Sequence, residues 1–273
     1  MLRGEEGPRK TRDARSDFRH VATMTGGTAR DGAGRSGLRT TFSTRAGAAM
    51  SIYRLLVSLH GFIGVVALAS FWAAVFLRKG SSTHRRVGQV FLLSMVGILA
   101  TAAPMAWVIH RSGRPLVAAF LAYLTVIVAA GVWSQWRAVR DRDSVARYTG
   151  PVYLALALLS VASGLLVLVL GLRTGSALLI GFSAIGLLTG SQRLYRRLRR
   201  PRLAAQRQWW LTEHYTAAIG NGGAVHVAFF AIGLPQLLPA LSGSGWTYVG
   251  WFAPVLAGLA AVQWLNRRRR AFG

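Results

Sequence analysis

Cysteine is absent from this chain of 273 residues, which excludes disulfides, thiolate-bound zinc, iron–sulfur clusters and cysteine nucleophiles. Acidic residues are scarce too: 8 Asp+Glu stand against 33 Lys+Arg, and of those 33 only Lys10 and Lys79 are lysine. The lysine shortage reads as the codon bias of a GC-rich, bacterial genome. P-loops, dinucleotide glycine patterns, HExxH and serine-hydrolase elbows are missing as well, so soluble-type enzyme chemistry has no foothold.

What is present is apolar. Hydrophobic residues make up 52% of the chain and mean hydropathy is +0.37, yet the formal charge is +25. A soluble fold this apolar would need its charge spread evenly. Here the charge is clustered and long uncharged runs lie between the clusters. Arg54 to Arg78 encloses 23 uncharged residues, Arg86 to Arg111 encloses 24, and Arg114 to Arg137 encloses 22. Arg147 to Arg173 encloses 25, Arg173 to Arg193 encloses 19, and Glu213 to Arg267 encloses 53. About 20 apolar residues in a helix cross a bilayer. The first five runs are therefore one span each. The last holds Pro235, Pro239, Gly243 and Gly245 and splits into two, with span six ending near Pro235. The expected fold is all-α: a polytopic transmembrane helix bundle of seven spans.

Orientation follows from the connections. Nineteen Lys+Arg flank spans on one side, from Arg78/Lys79/Arg85/Arg86 through to Arg267–Arg270, against four on the other (Arg54, Arg111, Arg114 and Arg173). The positive-inside rule then makes the C-terminus cytoplasmic and places the protein in a bacterial inner membrane. Trp133, Trp136, Trp209, Trp210, Trp246 and Trp264 fall near span ends, where indoles anchor in the headgroup zone. The arginine clusters thus report topology. The partner they imply is the lipid bilayer, with a membrane protein or a second copy as further candidates, and nucleic acid is not a partner.

Residues 1–49 carry ten Lys+Arg, five acids and no apolar run. They are expected to form a disordered basic tail. Met50 directly precedes span one, so the tail also reads as an over-extended gene start, and the transmembrane domain as 50–273.

Ionisable groups at membrane depth are costly and tend to face the bundle interior. No acid lies inside a span; Glu213 sits at the inner edge. Of six histidines, His20 lies in the tail and His110 at an outer helix end, leaving His60, His84, His214 and His226. From the helix rise, His60 lies about 12 Å below the outer surface and His226 about 14 Å, which predicts an outer pair at one depth. His84 and His214 open spans two and six and predict an inner pair. On span six, His214, Ala218, Asn221, Gly222 and His226 share one arc at about 100° per residue. Gly64 and Ala67 stripe with His60, and Gly88 follows His84 by one turn. Small residues beside an intramembrane histidine permit either a close helix crossing or a flat cofactor.

These residues carry a resemblance. His60-x3-Gly64, Lys79-Gly80-x3-His84-Arg85-x2-Gly88, Phe91 and Met95, then Trp210-x3-His214 and Ala228-Phe229 resemble the bacterial membrane proteins called domain of unknown function 2306, over roughly residues 53–235. The resemblance implies an integral membrane bundle whose motif histidines matter, and no assigned activity. Where that family's pattern has Thr, this chain has His226.

Three functions follow, in order. The first is a non-catalytic membrane helper or assembly subunit with an intramembrane histidine site. The second is a b-type haem redox protein with His60/His226, and further His84/His214, as iron ligands. The third is a proton-linked small-solute transporter in which Asn221 bridges a titrating histidine to water or substrate.

Overall fold

The computed structural model describes residues 39–241 and 243–271, with side chains described for 51–241, 243 and 245–269. Seven of its helices are long and apolar enough to cross a membrane, and no strand occurs among the described residues. The protein is an integral membrane helix bundle. We label the long helices α1 (Arg39–Phe76, spanning from Ser51), α2 (Ser82–Arg111), α3 (Pro115–Arg140), α4 (Pro151–Thr174), α5 (Ala177–Leu198), α6 (Trp209–Leu237) and α7 (Ser244–Ala271). Of the expected tail, residues 1–38 lie outside the described residues, while 39–49 continue α1 as helix. Extending an existing helix costs far less than nucleating one.

The sequence punctuates these helices as polar and cyclic side chains dictate. Ser81, Ser144 and Ser176 accept the N–H of His84, Arg147 and Leu179 at helix starts, satisfying donors that lack an intrahelical partner. Pro115 and Pro151 open α3 and α4, where their missing N–H is not needed. Gly175 ends α4 at φ +66°, a left-handed cap that returns the chain within two residues into α5. Span six runs two residues past Pro235, to Leu237. It does so just after a π-turn at Phe229–Gly233, closed by the Leu234 N–H on Phe229 O, which widens the helix ahead of the proline.

α3 and α6 occupy the centre. α3 packs against α2, α4 and α6, and α6 packs against α3, α7 and the inner half of α1. α1 and α7 are the outermost, with 11% of their most apolar window buried against 28–33% for the others. Glycines bring α4 and α5 together: a Cβ on Gly171 or Gly190 would lie within 3.0 Å of the facing helix. Hydrocarbon gives helices no hydrophobic reason to associate, so such close backbone approach supplies the packing. Phe120, Tyr123, Val167, Phe182 and Trp251 form one core shared by α3, α4, α5 and α7. Ala67, Phe91, Met95, Val132 and Val225 form another shared by α1, α2, α3 and α6.

The tryptophans divide. Trp136 sits under the Arg137 guanidinium at 5.7 Å and Trp264 under Arg268 at 4.3 Å, as belt residues do, whereas Trp133, 5.1 Å from Arg137, has its indole N–H buried. Trp209 is instead a core residue, packed on Tyr148 with ring centres 5.0 Å apart. Trp246 donates its indole N–H to Phe230 O at 2.9 Å and ties α7 to the π-turn.

Candidate functional site

The outer histidines do not meet. Thr101 spends its hydroxyl proton on its own helix, on Gly97 O at 2.9 Å. Its oxygen therefore accepts from His60 Nδ1–H at 2.8 Å, which ties α1 to α2. His226 is occupied at both nitrogens: Nδ1–H donates to Gly222 O at 2.7 Å, and Nε2 accepts the Trp72 indole N–H at 3.0 Å. Trp72 lies twelve residues beyond His60 on α1, about 18 Å along the axis. A single iron cannot join these rings, and the Nε2 of His226 has no lone pair to offer. The expected common depth fails because counting from each helix's own end ignores axial stagger. His226 is eleven residues from the outer end of α6, yet it meets α1 four residues before that helix's inner end.

The inner histidines are placed differently. The Phe71 ring marks a level common to three helices: Phe91 of α2 packs on it at 5.7 Å, and a Cβ on Gly222 of α6 would come within 2.2 Å of it. His84 lies seven residues inward of Phe91 and His214 eight inward of Gly222, about 10 and 12 Å below that level. By this count the two lie at about the same depth. His84 Nδ1 bonds Ala74 O at 3.1 Å, a last-turn carbonyl of α1 that it shares with the Lys79 ammonium, and His214 Nδ1 bonds Gln135 O at 3.0 Å. A carbonyl only accepts, so in each neutral ring Nδ1 carries the proton and Nε2 keeps its lone pair. Neither Nε2 has a hydrogen-bond partner among the described residues. One turn along α2 from His84, a Cβ on Gly88 would meet nothing within 4 Å, so that position of the helix face is open.

Gln135 organises this centre and was not singled out from the sequence. Its main-chain carbonyl orients His214, and its side-chain oxygen accepts Asn221 Nδ2 at 2.8 Å; both amides are buried. Asn221 lies over Gly131, where a Cβ would come within 2.3 Å of its oxygen. The signal was there to read: Gln135 is the lone amide of the run from Arg114 to Arg137, one turn beyond Gly131.

Glu213 is the other residue the sequence undersold. Its side chain is 6% exposed, with Arg196 Nη1 of α5 at 2.9 Å from each carboxylate oxygen and the Tyr148 hydroxyl donating at 2.9 Å. Burial, reinforced by the Glu213 carboxylate, pushes the Tyr148 phenol up, so that it stays a donor. Nearby, Arg193 reaches Ala130 O at 2.8 Å and the Ser134 hydroxyl on α3. Arg197 and Arg200 converge on Thr149 in the α3–α4 connection. This clamp joins α3, α5 and α6 at the arginine-rich end and fixes the residue that immediately precedes His214.

Among the described residues no three His, Cys, Asp or Glu side chains gather to hold a metal. Two histidines are too few for a bare tetrahedral ion. They are the complete axial set for a haem, whose macrocycle brings its own equatorial nitrogens. No family model, curated protein or solved structure matches the chain.

Proposed function

We propose that this protein is a redox subunit of a bacterial inner membrane in which His84 and His214 hold a b-type haem near the cytoplasmic surface. The observation that carries the reading is the identical presentation of the two rings. Each lies at about the same depth by the helix rise, each is fixed by an Nδ1–H bond to a main-chain carbonyl, and each has an Nε2 lone pair free of any described partner. Orienting bonds of this kind are what metal-ligating histidines receive from their surroundings. The group, when bound, supplies one-electron Fe(III)/Fe(II) exchange. The chain's own part is to set the tautomers through Ala74 and Gln135, hold α6 against α3 through Asn221, and keep water out with the surrounding apolar helices.

The same histidine motifs carry the resemblance to the domain of unknown function 2306 proteins, and we infer kinship on that basis. A proton-linked transporter is the weaker reading, because Glu213, the one carboxylate in α6, is held by Arg196 and Tyr148.

The test is the absorption spectrum of detergent-purified protein from haem-replete cells, before and after dithionite. A pigment that changes on reduction and titrates at about one haem per chain is expected. It should vanish in His84→Ala and in His214→Ala and persist in His60→Ala and His226→Ala. A colourless preparation, or a pigment indifferent to the two inner substitutions, overturns the haem reading in favour of the non-catalytic helper.

A further inference from the structure

Between α1 and α2 runs a groove of about 400 Å³, lined by Val65, Val66, Ala69, Ala73, Val87 and Val90 together with Ser70. Ser70 is buried and donates its hydroxyl to its own helix, to Val66 O at 2.7 Å and Ala67 O at 3.1 Å. The groove therefore offers nothing to a polar group and asks for hydrocarbon. Alanines at 69 and 73 give it depth, and the valines give it walls.

The inner end of the groove is cationic. Thr83 lies one helical turn inward of Val87, and Arg86 one turn inward of Val90. Both are exposed, and Arg86 has no ion-pair or hydrogen-bond partner among the described residues. Exposed Arg78 and Arg85 flank the same turn, and residues 77–90 contain no acid. Lys79 is committed elsewhere. Its ammonium caps the end of α1, on Ala74 O at 2.8 Å and Val75 O at 2.5 Å, and burial draws its pKa down. The arginines are thus left to an external anion. A guanidinium binds a phosphate through two parallel N–H···O bonds, which suits Arg86 to a headgroup at this height.

We propose that the α1–α2 hairpin holds one anionic phospholipid, an acyl chain in the groove and its phosphate on Arg86 and Thr83. Charge complementarity in register with the groove selects this occupant over a zwitterionic lipid. The general inward bias of arginine would place charge at this height but not in line with an acyl-sized channel. The site stands apart from the histidine pair and does not depend on the haem reading.

The experiment is native mass spectrometry of the full chain released from detergent after titration with phosphatidylglycerol or phosphatidylcholine. One phosphatidylglycerol is expected to stay bound to the wild type, with retention of phosphatidylcholine about tenfold weaker. Arg86→Gln should reduce phosphatidylglycerol to the phosphatidylcholine level, a loss of about tenfold, which matches one charge-assisted hydrogen-bond pair. Ala69→Leu/Ala73→Leu, which fills a groove open to lipid, should release both. Arg142→Gln, on another connection, should change nothing. Equal retention of the two lipids by the wild type, or an Arg86→Gln protein that binds like the wild type, overturns the proposal. So does a groove-filled variant that loses a dimer peak while keeping its lipid, because the groove would then be an interface between copies.

Discussion

Replacing Glu213 with leucine should be among the most damaging single changes in the protein, and pairing it with a second change should undo most of the harm. In the wild type both carboxylate oxygens stand 2.9 Å from Arg196 Nη1, and the Tyr148 hydroxyl donates at 2.9 Å. With charge centres about 4 Å apart and an effective permittivity near 20, the attraction is about 4 kcal/mol. Desolvation of a carboxylate that is 6% exposed consumes several kcal/mol of it, so the net worth of the intact pair is small. Removing one partner is a different matter, because the desolvation of the other is then uncompensated. Glu213→Leu or Arg196→Met alone should each cost about 3–5 kcal/mol, which lowers the thermal midpoint by on the order of 10 °C in a chain of this size. The double variant still leaves the Tyr148 hydroxyl unpaired, at about 1–3 kcal/mol. Adding Tyr148→Phe should bring the triple variant to within about 1 kcal/mol of the wild type. Tryptophan fluorescence melts in one detergent at one pH measure the four variants against the wild type. If the triple variant is as unstable as the summed single losses, the clamp is a favourable network in its own right and the desolvation argument is refuted.

Three further outcomes follow from the packing. Gly131→Ala should force Asn221 off Gln135, since the new Cβ would lie 2.3 Å from the Asn221 oxygen; a loss of about 1–3 kcal/mol is expected, read by the same melts. Gly222→Ala should drive Phe71 out of the α1–α6 contact and free the Trp72 indole from His226, and Phe71→Leu in the same chain should restore part of the lost stability. Tyr148 holds its proton more tightly folded than unfolded. Its contribution is therefore complete below about pH 10 and is withdrawn as the pH climbs through the raised folded value. Melts of the wild type should steepen their fall above about pH 10, and Tyr148→Phe should fall less; identical profiles would contradict the burial of that phenol.

Much of this molecule was written along the chain. The number of spans follows from uncharged runs long enough to cross a bilayer. Their ends follow from the prolines at 115 and 151, the serine caps at 81 and 176, and Gly175. Each is a local matter of helix length and hydrogen-bond bookkeeping, so the neighbours could not alter it. The small-residue arc of α6 was also legible, because a helix's period fixes which residues share a face.

What the sequence could not decide was how far one helix slides along another. His60 and His226 are each near the outer third of their own spans, yet Phe71 seated on Gly222 staggers α1 against α6 and hands His226 to Trp72. The same stagger sets His84 level with His214. Axial offset is a property of side-chain interlocking between helices in a medium that rewards only close packing and satisfied polar groups. It depends on pairs of residues distant in sequence, such as Phe71 with Gly222, Gln135 with Asn221 and Glu213 with Arg196, and no periodicity within one helix records its partner.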